Sequence, residues 1–192
     1  RRSSDLPTSQ LNRLPASPYY LEAVVTALKK AGLLRTYYRD RLRGYRLGIK
    51  AKSALLDGWP ERFTFCLTGD AETNRLKSEA NRRFRLHRLA ETYITMGNAG
   101  VLLYPDEKPK VFAQTGFGGE AVTYPVFYSS REVKELGADA TQIRSSRFAG
   151  VLLVPTGIFV TYNSGGALMK WRYKSELRVK TLLWNILCQQ RL

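Results

Sequence analysis

The sequence predicts a mixed α+β fold in two parts, over residues 1–60 and 61–192. Helix-like and strand-like patterns alternate along the first part, which a Trp-Pro pair closes. In the second part, several short strand-like segments lie between two long helical ones. With 192 residues, of which 44% are hydrophobic and 11% aromatic, the chain is long and apolar enough to bury a core.

Two helices are predicted near the start of the chain. The first covers residues 8–14, has Thr8 or Ser9 as its cap, and is interrupted by a Pro-Ala-Ser-Pro segment. Ser17 then caps a second helix over 18–31, because the proline that follows it loses no hydrogen bond at the first helical position. A glycine ends this second helix. Its apolar stripe has helical spacing and consists of Leu21, Val24, Val25 and Leu28.

A β-hairpin and a third helix are predicted next. The strands cover 33–40 and 44–48, and the basic Arg41-Leu42-Arg43 segment forms the tip between them. The helix that follows ends at Trp59-Pro60. One side of it is expected to pack through Ile49, Ala54, Leu55 and Leu56.

This order of elements resembles the winged helix-turn-helix of many bacterial regulators. The matching residues are Gly32-Leu33-Leu34 after the second helix and Tyr45-Arg46-Leu47 at the end of the hairpin. A helix that normally precedes the motif has no counterpart here, so we expect further sequence upstream. The resemblance implies that helix 18–31 enters the major groove of DNA and that the hairpin, as the wing, contacts the flanking backbone or the minor groove. The expected DNA-binding residues are Ser17, Tyr19, Tyr20, Thr26, Lys30, Arg39, Arg41 and Arg43.

The charge of the chain favours a nucleic-acid partner. Thirty-one Lys and Arg against 16 Asp and Glu give a formal net charge of +15, and residues 1–62 contribute 13 basic against 5 acidic side chains, hence +8. Membrane binding is not expected, because the basic residues are scattered, no stretch approaches a spanning length and the first ten residues lack the apolar core of a secretion signal. We therefore expect a cytoplasmic protein.

An α+β domain is predicted over 61–192, after a linker at Pro60-Glu61-Arg62. It begins with a strand over Phe63 to Leu67 and a long helix over 71–96, and it ends with a helix over 167–190. A short helix over 129–136 is capped by Ser129 or Ser130. The stripe of the long helix is expected to be Leu76, Ala80, Phe84, His87, Ala90 and Ile94. The remaining strands are expected at 101–104, 122–127, 148–154 and 158–162, the last two as a hairpin.

The sequence predicts neither a catalytic residue nor a metal or cofactor. A metal-dependent nuclease needs carboxylates and a lysine fixed at strands, whereas Asp106-Glu107-Lys108 lies in a turn bounded by prolines and the strands at 148–154 and 158–162 carry neither residue type. His87 is interpreted as a core residue. Cys66 and Cys188 match no metal or redox spacing and are expected to be reduced thiols.

Over most of its length, the chain resembles the replication-relaxation family of plasmids and conjugative elements. The resemblance lies in the order of modules, in RLKSEANRRFRLHRLAETYI with Leu-His-Arg-Leu-Ala-Glu at 86–91, and in SSREVKEL and FAGVLLVP followed by IFVTYN. It implies an accessory protein that binds double-stranded DNA in replication, relaxation or transfer initiation, with a second domain of degenerate nuclease-like fold. Implied partners are a relaxase or a replication protein, and a homodimer is a further expectation. A transcriptional regulator of a mobile element and a metal-dependent nuclease are the alternatives.

Overall fold

The computed structural model describes residues 5–68, 79–109, 125–135, 148–163 and 173–189. The fold is mixed α+β, with two antiparallel three-stranded sheets. The chain divides into two compact units. The first comprises Arg1–Ala99 with Tyr104–Asp106, and the second Gly100–Leu103 with Glu107–Leu192. This division differs from the expected boundary after residue 60, because the helix that follows residue 79 groups with the first unit.

The sheet of the first unit has the order β1-β3-β2, in which β1 is Leu6–Pro7, β2 is Leu34–Arg39 and β3 is Leu42–Leu47. Strands β2 and β3 form a hairpin whose register pairs Arg39 with Leu42, so the loop consists of Asp40 and Arg41 alone. The expected three-residue tip was therefore wrong. Both loop residues have positive φ, 51° and 59°, which is the geometry of a two-residue turn that matches the twist of the strands.

The helices at the start of the first unit follow local sequence signals. A 3-10 helix covers Thr8–Arg13 and has no side-chain cap, so the expected cap by Thr8 or Ser9 was wrong. Helix α1 covers Pro18–Lys30, and the backbone N–H of Tyr20 donates to the Ser17 hydroxyl at 3.3 Å. Gly32 follows the C-cap residue Ala31, and its φ of +69° is favourable for glycine. The core between these helices and the sheet contains Leu11, Leu21 and Val25, with Leu14, Leu34 and Tyr45 packed against it.

Two further helices correct the sequence analysis. Helix α2, Ile49–Gly58, buries Ala51. The expected packing was wrong for Ile49 and Ala54, which are exposed, while Leu55 and Leu56 are half-buried. Pro60–Leu67 is helix α3, so the expected linker and the strand expected after it were both wrong. The alternation of large apolar residues suggested the strand, but a proline at the first position and an acid in the first turn start a helix there.

Helix α4, Ala80–Asn98, completes the first unit. The residues from 71 to 78 of the expected long helix lie outside the described part of the chain. Its buried face differs from the expected stripe, since Phe84 is 45% exposed while Arg83 and Thr92 are buried. Apolar spacing did not reveal this face because Arg83 is buried against a distant carboxylate.

The second unit has its own sheet and core. Strands β4 (Val126–Ser129), β5 (Phe148–Val154) and β6 (Gly157–Tyr162) pair in the order β4-β5-β6, which confirms the expected β5–β6 hairpin. Helices α5, Ser130–Glu135, and α6, Tyr173–Gln189, belong to this unit. Its fully buried side chains include Val126, Val133, Val151 and Val179.

Several elements of the second unit differ in the structure from those that the sequence predicts. Of the strand expected at 101–104, only an isolated bridge between Leu102 and Val126 is present, and residues 122–124 and 167–172 lie outside the described ranges. The cap of α5 is confirmed: the Ser129 N–H donates to Glu132 at 2.7 Å and the Glu132 N–H to the Ser129 hydroxyl at 3.4 Å. Of the two long helices that were expected to enclose this sheet, α4 groups with the first unit and α6 with the second. No helix in the described ranges is long and apolar enough to cross a membrane.

Candidate nucleic-acid interface

Helix α1 exposes a face that combines aromatic, small and basic side chains. Tyr19, Ala23, Thr26 and Lys30 follow helical spacing on the side opposite the buried Leu21, and each of the four is exposed. Tyr19 is 85% exposed. The middle of this face carries only small side chains, so another surface can approach the helix backbone closely there.

The hairpin carries the other predicted site residues, but it does not bring them onto one face. Tyr45 packs with the α1 core, and alternation along β3 therefore places Arg43 on the α1 side of the sheet. Arg39 lies on the opposite side, the side of Gly44, and Arg41 lies in the turn. All three side chains are exposed.

Among the arginines of the first unit, two groups can be distinguished by their contacts. One group holds the fold: Arg13 contacts Thr95 and Glu91, Arg62 contacts Asp106, and both Arg46 and Arg83 contact Asp5. Within the described residues, the side chains of Arg35, Arg41 and Arg43 have no hydrogen-bond or ion-pair partner, and the same holds for Arg85 on α4. Arg39 has a weak contact, 3.7 Å from Nε to the Asp40 carboxylate, in which both side chains are more than half exposed.

A buried ion cluster lies against the turn end of the hairpin. The Asp5 and Arg83 side chains are both 0% exposed, and the Arg83 Nε donates to the Asp5 carboxylate at 2.8 Å. Arg46 donates to the same oxygen at 3.1 Å, and His87 Nε2 lies 3.2 Å from the other carboxylate oxygen. Burial by itself raises the pKa of Asp5, but the contacts with His87, Arg83 and Arg46 outweigh burial and hold the pKa below its ordinary value.

Arg83 connects this cluster to the backbone of β2. Its Nη1 donates to the carbonyl of Arg39 at 2.8 Å and its Nη2 to the carbonyl of Tyr37 at 3.4 Å. The Tyr37 ring lies under two guanidinium groups, 3.8 Å from Arg46 and 4.7 Å from Arg83. The cluster therefore holds α4 and the hairpin together, next to the strand end that leads into the turn.

Sequence reasoning missed this cluster. Asp5 and Arg83 are 78 positions apart, and nothing in their local patterns links them. One signal was available: Gly44 interrupts a strand, and a glycine there often marks a close approach. A Cβ at Gly44 would meet Asp5 Oδ1 and lie 3.0 Å from His87 Nε2.

The expected site residues on α1 and the hairpin are thus all exposed, although Ser17 also uses its hydroxyl to cap α1. Free guanidinium and ammonium groups bind phosphate oxygens, while phenol and threonine hydroxyls can hydrogen-bond to base edges or phosphates.

Two of the three residues considered for a nuclease site, Asp106 and Lys108, have other partners. Asp106 accepts two hydrogen bonds from Arg62 Nε, at 2.9 and 3.1 Å, and Lys108 donates to Glu132 at 2.6 Å. Within the described ranges, no group of three or more His, Cys, Asp or Glu side chains is placed to hold a metal ion. Cys66 is half-buried and forms no disulfide with another described residue.

No family model, no curated protein and no solved structure matches the chain.

Proposed function

We propose that the first unit is a winged helix-turn-helix that binds double-stranded DNA, with α1 in the major groove and the β2–β3 hairpin as the wing. The element order supports it: a short helix, a turn and a longer helix precede the hairpin, and β1 pairs with β3 to complete a small sheet. The proposed contacts are Ser17, Tyr19, Tyr20, Thr26, Lys30, Arg39, Arg41 and Arg43.

The observation that carries the proposal is the separation of the basic side chains into two groups. Arginines that hold the fold have carboxylate or carbonyl partners, whereas Arg41 and Arg43 have none in the described part of the chain. On α1, Lys29 and Lys30 are exposed in the last turn and Glu22 is the only acid. Cations without internal partners on a chain of net charge +15 are available to neutralise phosphates.

The turn residue Arg41 supports a functional role for the hairpin tip. Its φ of 59° is a left-handed conformation, which costs a residue with a side chain about 1 kcal/mol. Glycine is the residue that such a turn favours at this position. An arginine at this position lowers the stability of the folded state, and its side chain has no partner among the described residues. Such a cost is expected where the side chain serves binding.

The shape of α1 supports its insertion into a groove. Ala23, Thr26 and Ala27 are exposed and small, so the helix backbone can approach the floor of the major groove. Tyr19 and Tyr20 project at the N-terminal end of the helix, where recognition helices contact base edges and phosphates.

By its resemblance to the replication-relaxation family, we place this activity in an accessory role on a plasmid or conjugative element, in the cytoplasm, with a relaxase or replication protein as the partner. Sequencing of the DNA bound to the protein in its native host tests that role. Enrichment at an origin of transfer or replication is expected. Enrichment at its own promoter alone would point to a transcriptional regulator.

The wing is tested with the double substitution Arg41→Ala, Arg43→Ala. Fluorescence anisotropy with a labelled duplex should show weaker binding by a similar factor for unrelated sequences, because these side chains contact the backbone. The matched control is Lys174→Ala, Lys180→Ala, which removes the same charge from two exposed positions of α6. Equal losses in the two double variants would show that net charge alone governs binding and would overturn the wing.

The groove helix is tested with Tyr20→Ala, Thr26→Ala. Selection from a random duplex library should return a different or broader preferred site than that of the wild type, while affinity for random duplex changes little. An unchanged preferred site would exclude α1 as the element that reads sequence.

A further inference from the structure

Tyr38, on β2 next to the turn, is an exposed aromatic residue that sequence analysis did not single out. Its side chain is 67% exposed. The register pairs it with Arg43, and both residues lie on the α1 side of the sheet. Within the described residues, no hydrogen bond, ring contact or cation–π contact involves its side chain.

The preceding tyrosine shows how different this environment is. Tyr37 points to the other side of the strand, where its ring lies against the guanidinium groups of Arg46 and Arg83. Tyr37 therefore stabilises the fold. Tyr38 keeps most of its side chain exposed and is paired across the hairpin with Arg43, whose guanidinium group also has no internal partner among the described residues.

An open ring beside free arginines has the chemistry of a stacking site for nucleic-acid bases. Aromatic rings bind unpaired bases through their faces, while neighbouring cations bind the phosphates of the same strand. In a continuous duplex the base faces are covered by their neighbours in the stack. Without unstacking base pairs, a ring on the proposed wing reaches a base face only where the stack is interrupted, as it is where a strand leaves the duplex.

We propose that Tyr38 stacks on an unpaired nucleotide adjoining the duplex, next to the duplex phosphate that Arg43 contacts, so that the protein prefers duplex DNA with a single-stranded extension. This inference rests on the proposed function, because it requires α1 to bind the adjacent duplex. The inference assigns a substrate class to the hairpin, namely a junction between duplex and single-stranded DNA. The charge of the hairpin alone does not specify this class.

The experiment compares two labelled probes, a blunt duplex of about 20 base pairs and the same duplex with an extension of about six thymidines. Wild-type protein should bind the extended probe roughly fivefold or more tightly, which is the lower end of the effect of one stacked base. Tyr38→Ala should abolish this ratio and leave the affinity for the blunt duplex nearly unchanged. Tyr38→Phe should keep the ratio, because it retains the ring.

The matched control is Tyr173→Ala on α6, where the tyrosine is 69% exposed; this variant should keep the wild-type ratio. Equal binding of both probes by the wild type, or a ratio that survives Tyr38→Ala, would overturn the stacking site and leave the proposed duplex binding intact. A ratio lost in Tyr38→Phe would assign the effect to the hydroxyl and also overturn stacking. Failure to bind either probe would overturn the proposed function and the stacking site with it.

Discussion

Replacing Asp5 with asparagine should destabilise the first unit by about 3–5 kcal/mol, the usual cost of removing one partner from a buried ion pair. The structure explains the size of this effect. The Arg83 side chain is fully buried and Asp5 is the carboxylate that neutralises it at 2.8 Å. The variant leaves that guanidinium charge buried with two backbone carbonyls as its acceptors, and it also removes the carboxylate partner of Arg46.

Urea unfolding, monitored through hydrogen exchange of the β2–β3 amides, measures this loss of stability within the first unit. Asp57→Asn is the control, because Asp57 is exposed on α2 and its replacement should change the unfolding free energy by less than about 0.5 kcal/mol. Arg83→Met in the Asp5→Asn background should recover part of the loss, since an apolar side chain needs no counter-charge. A loss below about 1 kcal/mol, or strictly additive effects of the two substitutions, would refute the reasoning.

Three further predictions concern the hairpin and the ion cluster beside it. Contacts hold the folded pKa of Asp5 below its ordinary value of 3.8, so the contribution of Asp5 to stability is present above pH 3.8 and is lost as the pH falls through the lower folded pKa. Below pH 3.8, the urea midpoint of unfolding should therefore decline more steeply for the wild type than for Asp5→Asn. Parallel curves for the two proteins would contradict this. Gly44→Ala should cost more than about 2 kcal/mol, because its Cβ meets the Asp5 carboxylate, whereas Gly58→Ala, with nothing within 4 Å, should be neutral or stabilising in urea unfolding. Arg41→Gly should leave the unfolding free energy unchanged or raise it by up to about 1 kcal/mol. The same variant should bind duplex DNA more weakly in fluorescence anisotropy. A variant that is less stable and binds normally would contradict the view that Arg41 is a strained residue kept for binding.

Elements with local signals could be predicted from the sequence. Ser17, the proline after it and Gly32 define the start and end of α1 by capping chemistry alone, and the reciprocal bonds of Ser129 and Glu132 do the same for α5. Exposure of the predicted site residues follows from these assignments, because the buried face of α1 is its apolar stripe.

Elements whose environment depends on distant contacts could not be predicted from the sequence. The buried face of α4 is organised around Arg83, whose partner is far away in the sequence, so counting apolar residues selected the exposed Phe84 instead. Tyr37 and Tyr38 are indistinguishable in the sequence, and only the pairing of β2 with β3 separates the structural ring from the open one. The tip of the hairpin was misplaced because an arginine at positive φ has no propensity signal.

The dependence of duplex affinity on salt tests the central claim most directly, because it measures how many phosphates the surface neutralises. For wild-type protein, the logarithm of the binding constant should fall steeply with the logarithm of salt concentration, by about 0.9 for each phosphate contact. In Arg41→Ala, Arg43→Ala the slope should be shallower by about 1.8, since two proposed contacts are removed. A wild-type slope near zero, or a slope that this double variant leaves unchanged, would contradict binding of DNA by α1 and the hairpin.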